Sequence, residues 1–292
     1  SGDRVTVPVG VTHAELNAWL APHGRRFAPD PASSQTCTVG GMVATNASGG
    51  NAVRHGYTRD HVAALRVVWD SGDADELRSA EPGTRNETRS ELRIPHSAFR
   101  TLEIHAQTTA LLVAHRELVQ LTRPLTRFNR CGYVLHDVLT PAGLDLAKLL
   151  VGSEGTLGFV TAATLRTIPA AGGTCLAVLG FAGQDDAVAA GLSLSAADGL
   201  AGCDLLDQRL LALARTDPAG LVPPAVAAAL VLTFEGESVR QAEEFGRAAV
   251  DRVRDRHRVA VIADPTCDPA GVDRIRRFRA GAVGGLYALR AG

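Results

Sequence analysis

The residues best suited to chemistry in this sequence are small ones. Between Pro29 and Gly50 the chain reads Pro29-Asp30-Pro31-Ala32-Ser33-Ser34, then Thr38-Val39-Gly40-Gly41, then Asn46-Ala47-Ser48-Gly49-Gly50. Glycine pairs permit positive φ and let a ligand approach the main chain, and consecutive exposed N–H groups make a concavity that favours anions. A pyrophosphate suits such a stretch. For a lone run of this kind, a plain surface loop joining two strands is the commoner outcome. The run has company, because Val151-Gly152-Ser153-Glu154-Gly155-Thr156-Leu157-Gly158 is a second loop with three glycines.

The remaining reactive side chains give no second centre. Cys37, Cys131, Cys175, Cys203 and Cys267 are odd in number, far apart and never in a Cys-x-x-Cys arrangement, as expected of free, mostly buried thiols in a reducing compartment. No metal site is assigned. His13-Ala14-Glu15 matches half of a zinc-deaminase signature, but no Pro-Cys-x-x-Cys follows. Lys148 is the only lysine and has no Gly-rich run before it, which excludes a Walker A loop, and no G-x-G-x-x-G occurs. A formal net charge of −1 removes the basic surplus that a nucleic-acid partner requires. With 292 residues, 46% of them apolar, the chain can bury cores for two domains. The longest apolar run, around Val226 to Phe234, is too short to cross a membrane, so no transmembrane segment is expected. There is neither an initiator Met nor a signal peptide, and the chain is expected to start away from a natural terminus.

The elements that must carry the two loops follow from patterning. Arg4 to Val9 alternates as a strand, and Thr12 with Glu15 makes a capping box for a helix from His13 to Leu20. Within that helix Leu16, Trp19 and Leu20 recur at helical spacing and are expected in the core. Phe27 to Pro31 is an extended lead-in, since each proline disfavours helix before it. Met42 to Asn46 reads as one helical turn with Gly40 and Gly41 at its start, aiming unpaired N–H groups at an anion. His61 to Gly72 is a buried strand ending in an Asp-x-Gly turn, and 73–97 is a polar surface excursion. Ala98 to Thr122 is helical, with satisfied or exposed histidines at His105 and His115, and Phe159 to Ile168 is a strand. Pro169 to Gly173 is a linker. Beyond it, strands at Thr174–Phe181, Leu230–Glu235 and Val259–Ala263 alternate with helices at Gln184–Ala197, Ser238–Arg256 and from Asp268 onward. A short strand or turn at 203–207 precedes a helix at Gln208–Ala214. That alternation suggests a ferredoxin-like α+β unit.

The first stretch resembles the "PDP-S…T-I-G-G-M-V-A-T-N-A-S-G" of the vanillyl-alcohol oxidase superfamily of PCMH-type FAD-binding flavoproteins, and the second its "G-S-E-G-T-L-G-x-x-T". Within it the chain is similar to the branch of D-lactate dehydrogenases, glycolate oxidase flavin subunits and D-2-hydroxyglutarate dehydrogenases. Arg54-His55-Gly56 resembles its Arg-Tyr-Gly, with His55 read as a solvent-facing loop residue. Asn129-Arg130-Cys131-Gly132-Tyr133 resembles "N-x-x-G-Y", with Phe128 where a basic residue is usual. Ile275 to Gly281 with Leu286-Tyr287 resembles "L-R-x-A-G…L-Y" of members that continue into an iron–sulfur domain.

The resemblance implies an α+β fold: a PCMH-type FAD-binding domain over 1–170 followed by a ferredoxin-like α+β cap domain over 171–292. It implies FAD as cofactor, held by Pro29, Asp30, Thr38, Val39, Gly40, Gly41, Asn46, Ser48, Gly49, Gly56, Glu154, Gly155, Gly158 and Val160. Asn46 is placed to bond either the flavin or its own loop, and Glu154 either the cofactor or its loop, its position among glycines arguing against a solvated charge. Tyr133 is a wall of the flavin pocket or plain core. The implied reaction is oxidation of a small D-2-hydroxy acid by hydride transfer to flavin. Electrons would pass to an Fe–S centre, quinone or cytochrome, in the cytoplasm or peripherally at the inner membrane. The family's base and carboxylate clamp lie in an "H-x-H-x-G-D-x-N"-like segment, and its other phosphate loop is "G-G-G-T-S-x-x-G". Neither occurs here, so no catalytic residue is assigned and the chain is expected to be an internal fragment. The alternatives are another alcohol or sugar oxidase of the superfamily, or a noncatalytic nucleotide-binding module.

Overall fold

A computed structural model describes residues 2–79, 96–126, 132–141, 143–214, 222–223 and 225–288, with only the backbone of 96–99, 214 and 283–288. It divides into two compact units, Ser1–Ser48 with Tyr57–Pro169, and Gly49–Gly56 with Ala170–Gly292.

The first unit starts with β1 (Arg4–Pro8), α1 (His13–Leu20), β2 (Arg25–Arg26) and α2 (Val39–Thr45). The chain leaves it for α3 (Ala52–His55), which counts with the second unit. It returns with α4 (Thr58–His61), β3 (Val62–Val68), β4 (Ala74–Arg78), α5 (His96–Ala114) and α6 (Arg116–Leu121). After these come β5 (Leu139–Thr140), β6 (Gly143–Leu144), α7 (Leu146–Leu150), β7 (Phe159–Arg166) and β8 (Ile168–Pro169). The main sheet is antiparallel in the order β1-β7-β3-β4. Alternation sets its faces: Ala163 and Leu165 of β7 and Leu65 and Val67 of β3 turn into one core with Leu16, Phe27, Met42, Val43, Leu146 and Leu150. The capping box forms, with Thr12 N–H donating to Glu15 Oε2 at 2.9 Å and Glu15 N–H to Thr12 Oγ1 at 3.2 Å.

Four expectations change. Trp19 is 59% exposed and lies against His23 with ring centroids 4.9 Å apart, so it is not a core residue. Within the supposed surface excursion, Ala74–Arg78 is the edge strand β4, paired to β3 after a tight turn at Gly72 (φ +85°). Its alternation is masked because Leu77 is the only large apolar side chain among charges, the usual composition of a protected edge. The helix expected from 98 to 122 is two helices parted at His115. The short strand or turn at 203–207 is a full strand from Leu200 to Leu206. The surface reading of 80–95, and Phe128 to Cys131, lie outside the described residues.

The second unit contains β9 (Gly173–Phe181), α8 (Gln184–Leu194), β10 (Leu200–Leu206), α9 (Gln208–Ala214), β11 (Ala228–Gly236), α10 (Val239–Arg256), β12 (Ala260–Thr266) and α11 (Pro269–Ala288). Its sheet runs β10-β11-β9-β12, every pair antiparallel, with helices after the first and third strands of the main series. That is the ferredoxin-like order. Alternate residues of β9 feed two cores. Cys175, Ala177 and Leu179 join α8 and α10, while Leu176 and Val178 join α9 and α11. Covering both faces explains why β9 and β11 read as unbroken apolar runs.

Segment 49–56 is fixed to this unit by its own side chains. His55 Nε2 lies 3.0 Å from Oε2 of buried Glu235, and Arg54 Nη1 donates to the carbonyls of Glu235 at 3.2 Å and Gly199 at 3.4 Å. His55 is therefore not a solvent-facing residue. Its partner stands 180 positions away, beyond the reach of a local pattern.

Candidate functional site

The two glycine-bearing loops of the first unit interlock. Gly152 N–H donates to Val43 C=O and Glu154 N–H to Ala44 C=O, each at 2.9 Å, so the second loop caps the carbonyl end of α2. Two positive-φ residues allow this, Gly152 at +92° and Glu154 at +52°. Asn46 ends the same helix in the left-handed region at φ +48°, and a Cβ added at Gly152 would sit 3.3 Å from Asn46 Cβ. The sequence motifs thus form one piece of backbone.

The start of α2 does something other than the sequence suggested. Val39 N–H donates to Val11 C=O and Gly40 N–H to Val9 C=O, each at 2.8 Å. Met42 N–H goes to Thr38 C=O at 2.9 Å and Gly41 N–H to Thr38 Oγ1 at 3.1 Å. These donors are spent on the protein and are not aimed at an anion. The glycine at 40 has a packing reason, since an added Cβ would meet Val9 Cβ at 2.9 Å. The N–H groups of Ser48, Gly155 and Leu157 are instead among those with no intramolecular acceptor within the described residues. Gly155 has φ +77° and nothing within 4 Å of an added Cβ, so the backbone there is open to a ligand.

Asn46 is 3% exposed and its Oδ1 accepts from Arg59 N–H at 3.0 Å, so this oxygen serves its own loop. Glu154 is exposed, its positive φ turning the side chain outward while its N–H turns inward, so its carboxylate does not hold its own loop. Tyr133 is 47% exposed and its hydroxyl lies 2.6 Å from Thr156 Oγ1 of the second loop, which removes the core reading. Gly158 packs closely, an added Cβ lying 2.9 Å from Val67 Cγ1. Val160 pairs with Val67 across the sheet, and Phe159 beside it is 72% exposed. Pro29 is buried and Asp30 half-buried. Gly49 and Gly56 belong to the second unit, Gly56 at φ +71°.

Two groups were not foreseen. Buried His13 holds the Pro29–Ser34 stretch from α1: its Nδ1 is 2.7 Å from Ser34 Oγ, its Nε2 is 2.8 Å from Asn17 Nδ2, and Asn17 Oδ1 accepts from Phe27 N–H at 2.7 Å. Burial pushes the His13 imidazole below its ordinary pKa, only partly opposed by nearby Asp30. The second group is a cluster on Arg59, which is 6% exposed. Its Nη1 lies 2.6 Å from Asp137 Oδ1, and Lys148 Nζ lies 2.8 Å from Asp137 Oδ2. Burial pushes the Asp137 carboxyl up. The Lys148 hydrogen bond and the charges of Arg59 and Lys148 outweigh it and leave the group below the usual range. A cavity of about 750 Å³ adjoins, lined by Asn46, Tyr57, Arg59, Asp60, Arg123 and His136 among others. Arg59 sits in a polar run before a buried strand and reads as a solvated face, because its partners stand 75 and 89 positions away.

Residues 1–78 match the family model described as FAD binding domain. The chain carries an FAD-binding domain of the PCMH type. Over 295 residues it is 30% identical to a D-2-hydroxyglutarate dehydrogenase of Pantoea ananatis, covering 96% of this chain and 28% of that protein. Over 269 residues it is 25% identical to a D-lactate dehydrogenase of Anaerostipes hadrus, covering 90% and 45%. A solved structure of alkyldihydroxyacetonephosphate synthase superposes with a TM-score of 0.61 at 16% identity, over 97% of this chain and 43% of that one, a likeness of fold. The chain spans less than half the length of each of these proteins. The α+β class and FAD as cofactor stand on this footing. Among the described residues no helix is long and apolar enough to cross a membrane, and no group of His, Cys, Asp and Glu is arranged to hold a metal ion.

Proposed function

We propose that this chain is the flavin-holding part of an FAD-linked dehydrogenase that oxidises a small D-2-hydroxy acid, with 1–170 as FAD-binding domain and 171–292 as cap. The observation that carries the reading is the interlock of the two glycine loops through Val43, Ala44, Gly152 and Glu154, since it builds a single ligand-facing edge from both FAD-type motifs. The names of the similar proteins support the substrate class.

The residues divide by what they do. Gly155, Leu157 and Ser48 offer main-chain donors to the dinucleotide, and the open space at Gly155 lets backbone and cofactor meet. Gly158 and Val160 bring the main chain of β7 alongside it. Thr38, Val39, Gly40, Gly41 and Asn46 fix α2, to which the second loop is tied, and Pro29 and Asp30 belong to the stretch that His13 clamps. Bound FAD would accept the hydride removed from the α-carbon of the hydroxy acid. This chain's share is binding and orientation. The electron acceptor is an Fe–S centre, a quinone or a cytochrome, reached from the cytoplasm or the inner-membrane surface.

The test is the visible spectrum of the protein made with its natural flanks. Flavin bands that bleach on adding D-2-hydroxyglutarate, D-lactate or glycolate are the expected result. A protein that neither carries nor takes up FAD would overturn the reading.

A further inference from the structure

Arg59 spends its donors on three separate segments. Its main-chain N–H bonds Asn46 Oδ1 at the end of the first glycine stretch, at 3.0 Å. Its Nη2 donates to Val134 C=O, next to Tyr133, and its Nε to Lys148 C=O, each at 2.9 Å. Lys148 lies in α7, which runs straight into the second glycine loop, and Asp137 receives both cations. Buried ion clusters are weak stabilisers, because desolvation offsets most of the Coulomb gain and apolar replacements are often neutral. What a guanidinium does well is hold several acceptors at fixed angles through one planar fork.

We propose that Arg59 is a positioning residue for the cofactor site, setting the spacing of the first glycine stretch, the Tyr133 segment and the helix that enters the second loop. The inference rests on the FAD reading above and deepens it. Lysine in its place keeps the charge opposite Asp137 but cannot reach Val134 and Lys148 carbonyls together. The fold then keeps its paired charges and the cofactor edge loses its register.

The experiment compares the natural full-length protein with Arg59→Lys and Asp137→Asn. It reads the melting temperature without FAD, the FAD dissociation constant from flavin fluorescence, and the visible circular dichroism of the bound flavin. Arg59→Lys should melt several degrees below the parent without FAD, because the Val134 and Lys148 carbonyls lose their charged donor, and should bind FAD about tenfold more weakly with an altered flavin dichroism. Asp137→Asn leaves the two carbonyl bonds of Arg59 in place, removes a half-exposed carboxylate and should fold, with a smaller shift in the same direction. Parent-like FAD affinity and dichroism in both variants would overturn the proposal. So would weakened binding that follows the melting temperature alone while the flavin dichroism stays unchanged. If the parent itself binds no FAD, the functional reading fails first, and the parent arm separates that outcome from a failure of Arg59 alone.

Discussion

Gly152→Ala tests whether the two loops work as one. At φ +92° an L side chain costs about 1–2 kcal/mol in backbone strain. The new Cβ would also press Asn46 Cβ at 3.3 Å, adding about 1 kcal/mol at the low end of overpacking. The sum, roughly 2–3 kcal/mol, should lower the melting temperature by about 5–10 °C for a unit of this size. Strain alone would not touch the cofactor. Relief by moving the loop would, because the Gly152 and Glu154 N–H groups leave the Val43 and Ala44 carbonyls as it moves. Gly143→Ala is the control: φ is +117° and nothing lies within 4 Å of an added Cβ, so it carries the strain without contact to either motif. Thermal melts and FAD titrations of both variants should show two destabilised proteins of which only Gly152→Ala binds FAD more weakly. Equal FAD affinity in the two would refute the idea that the loops are registered through this glycine.

Two further outcomes follow from the same geometry. Gly40→Ala should destabilise the protein by about 1–3 kcal/mol with or without FAD, because the new Cβ meets Val9; parent-like urea unfolding of the apoprotein combined with poor FAD binding would return this glycine to the ligand. His13 is held neutral by burial, its folded pKa below the ordinary 6.5, so the unfolded chain takes up a proton first. Stability should then be full above pH 6.5 and fall as the pH drops through it, with a flatter profile in His13→Gln; identical urea midpoints for parent and variant from pH 7 to pH 5 would contradict this.

How much of this was legible in the sequence depends on the distance over which each feature is decided. The Thr12–Glu15 box, the turn at Gly72, and the strands β7 and β9 are set by neighbours a few residues apart, and periodicity finds them. The glycine motifs were legible as motifs but not as physics. Gly40 and Gly41 look like an anion cradle in a string of letters, because nothing there reveals that Val9, Val11 and Thr38 take the donors. Glu154 shows the converse: a carboxylate among glycines reads as enclosed by its loop, and the positive φ that turns it outward is not visible in the letters. His55 and Arg59 were beyond local reasoning altogether, since a charge beside glycine or ahead of a strand is normally solvated and their partners come from far along the chain. The residues that hold a site in register are thus those a motif search overlooks: they carry no signature of their own and are defined only by the acceptors that folding brings to them.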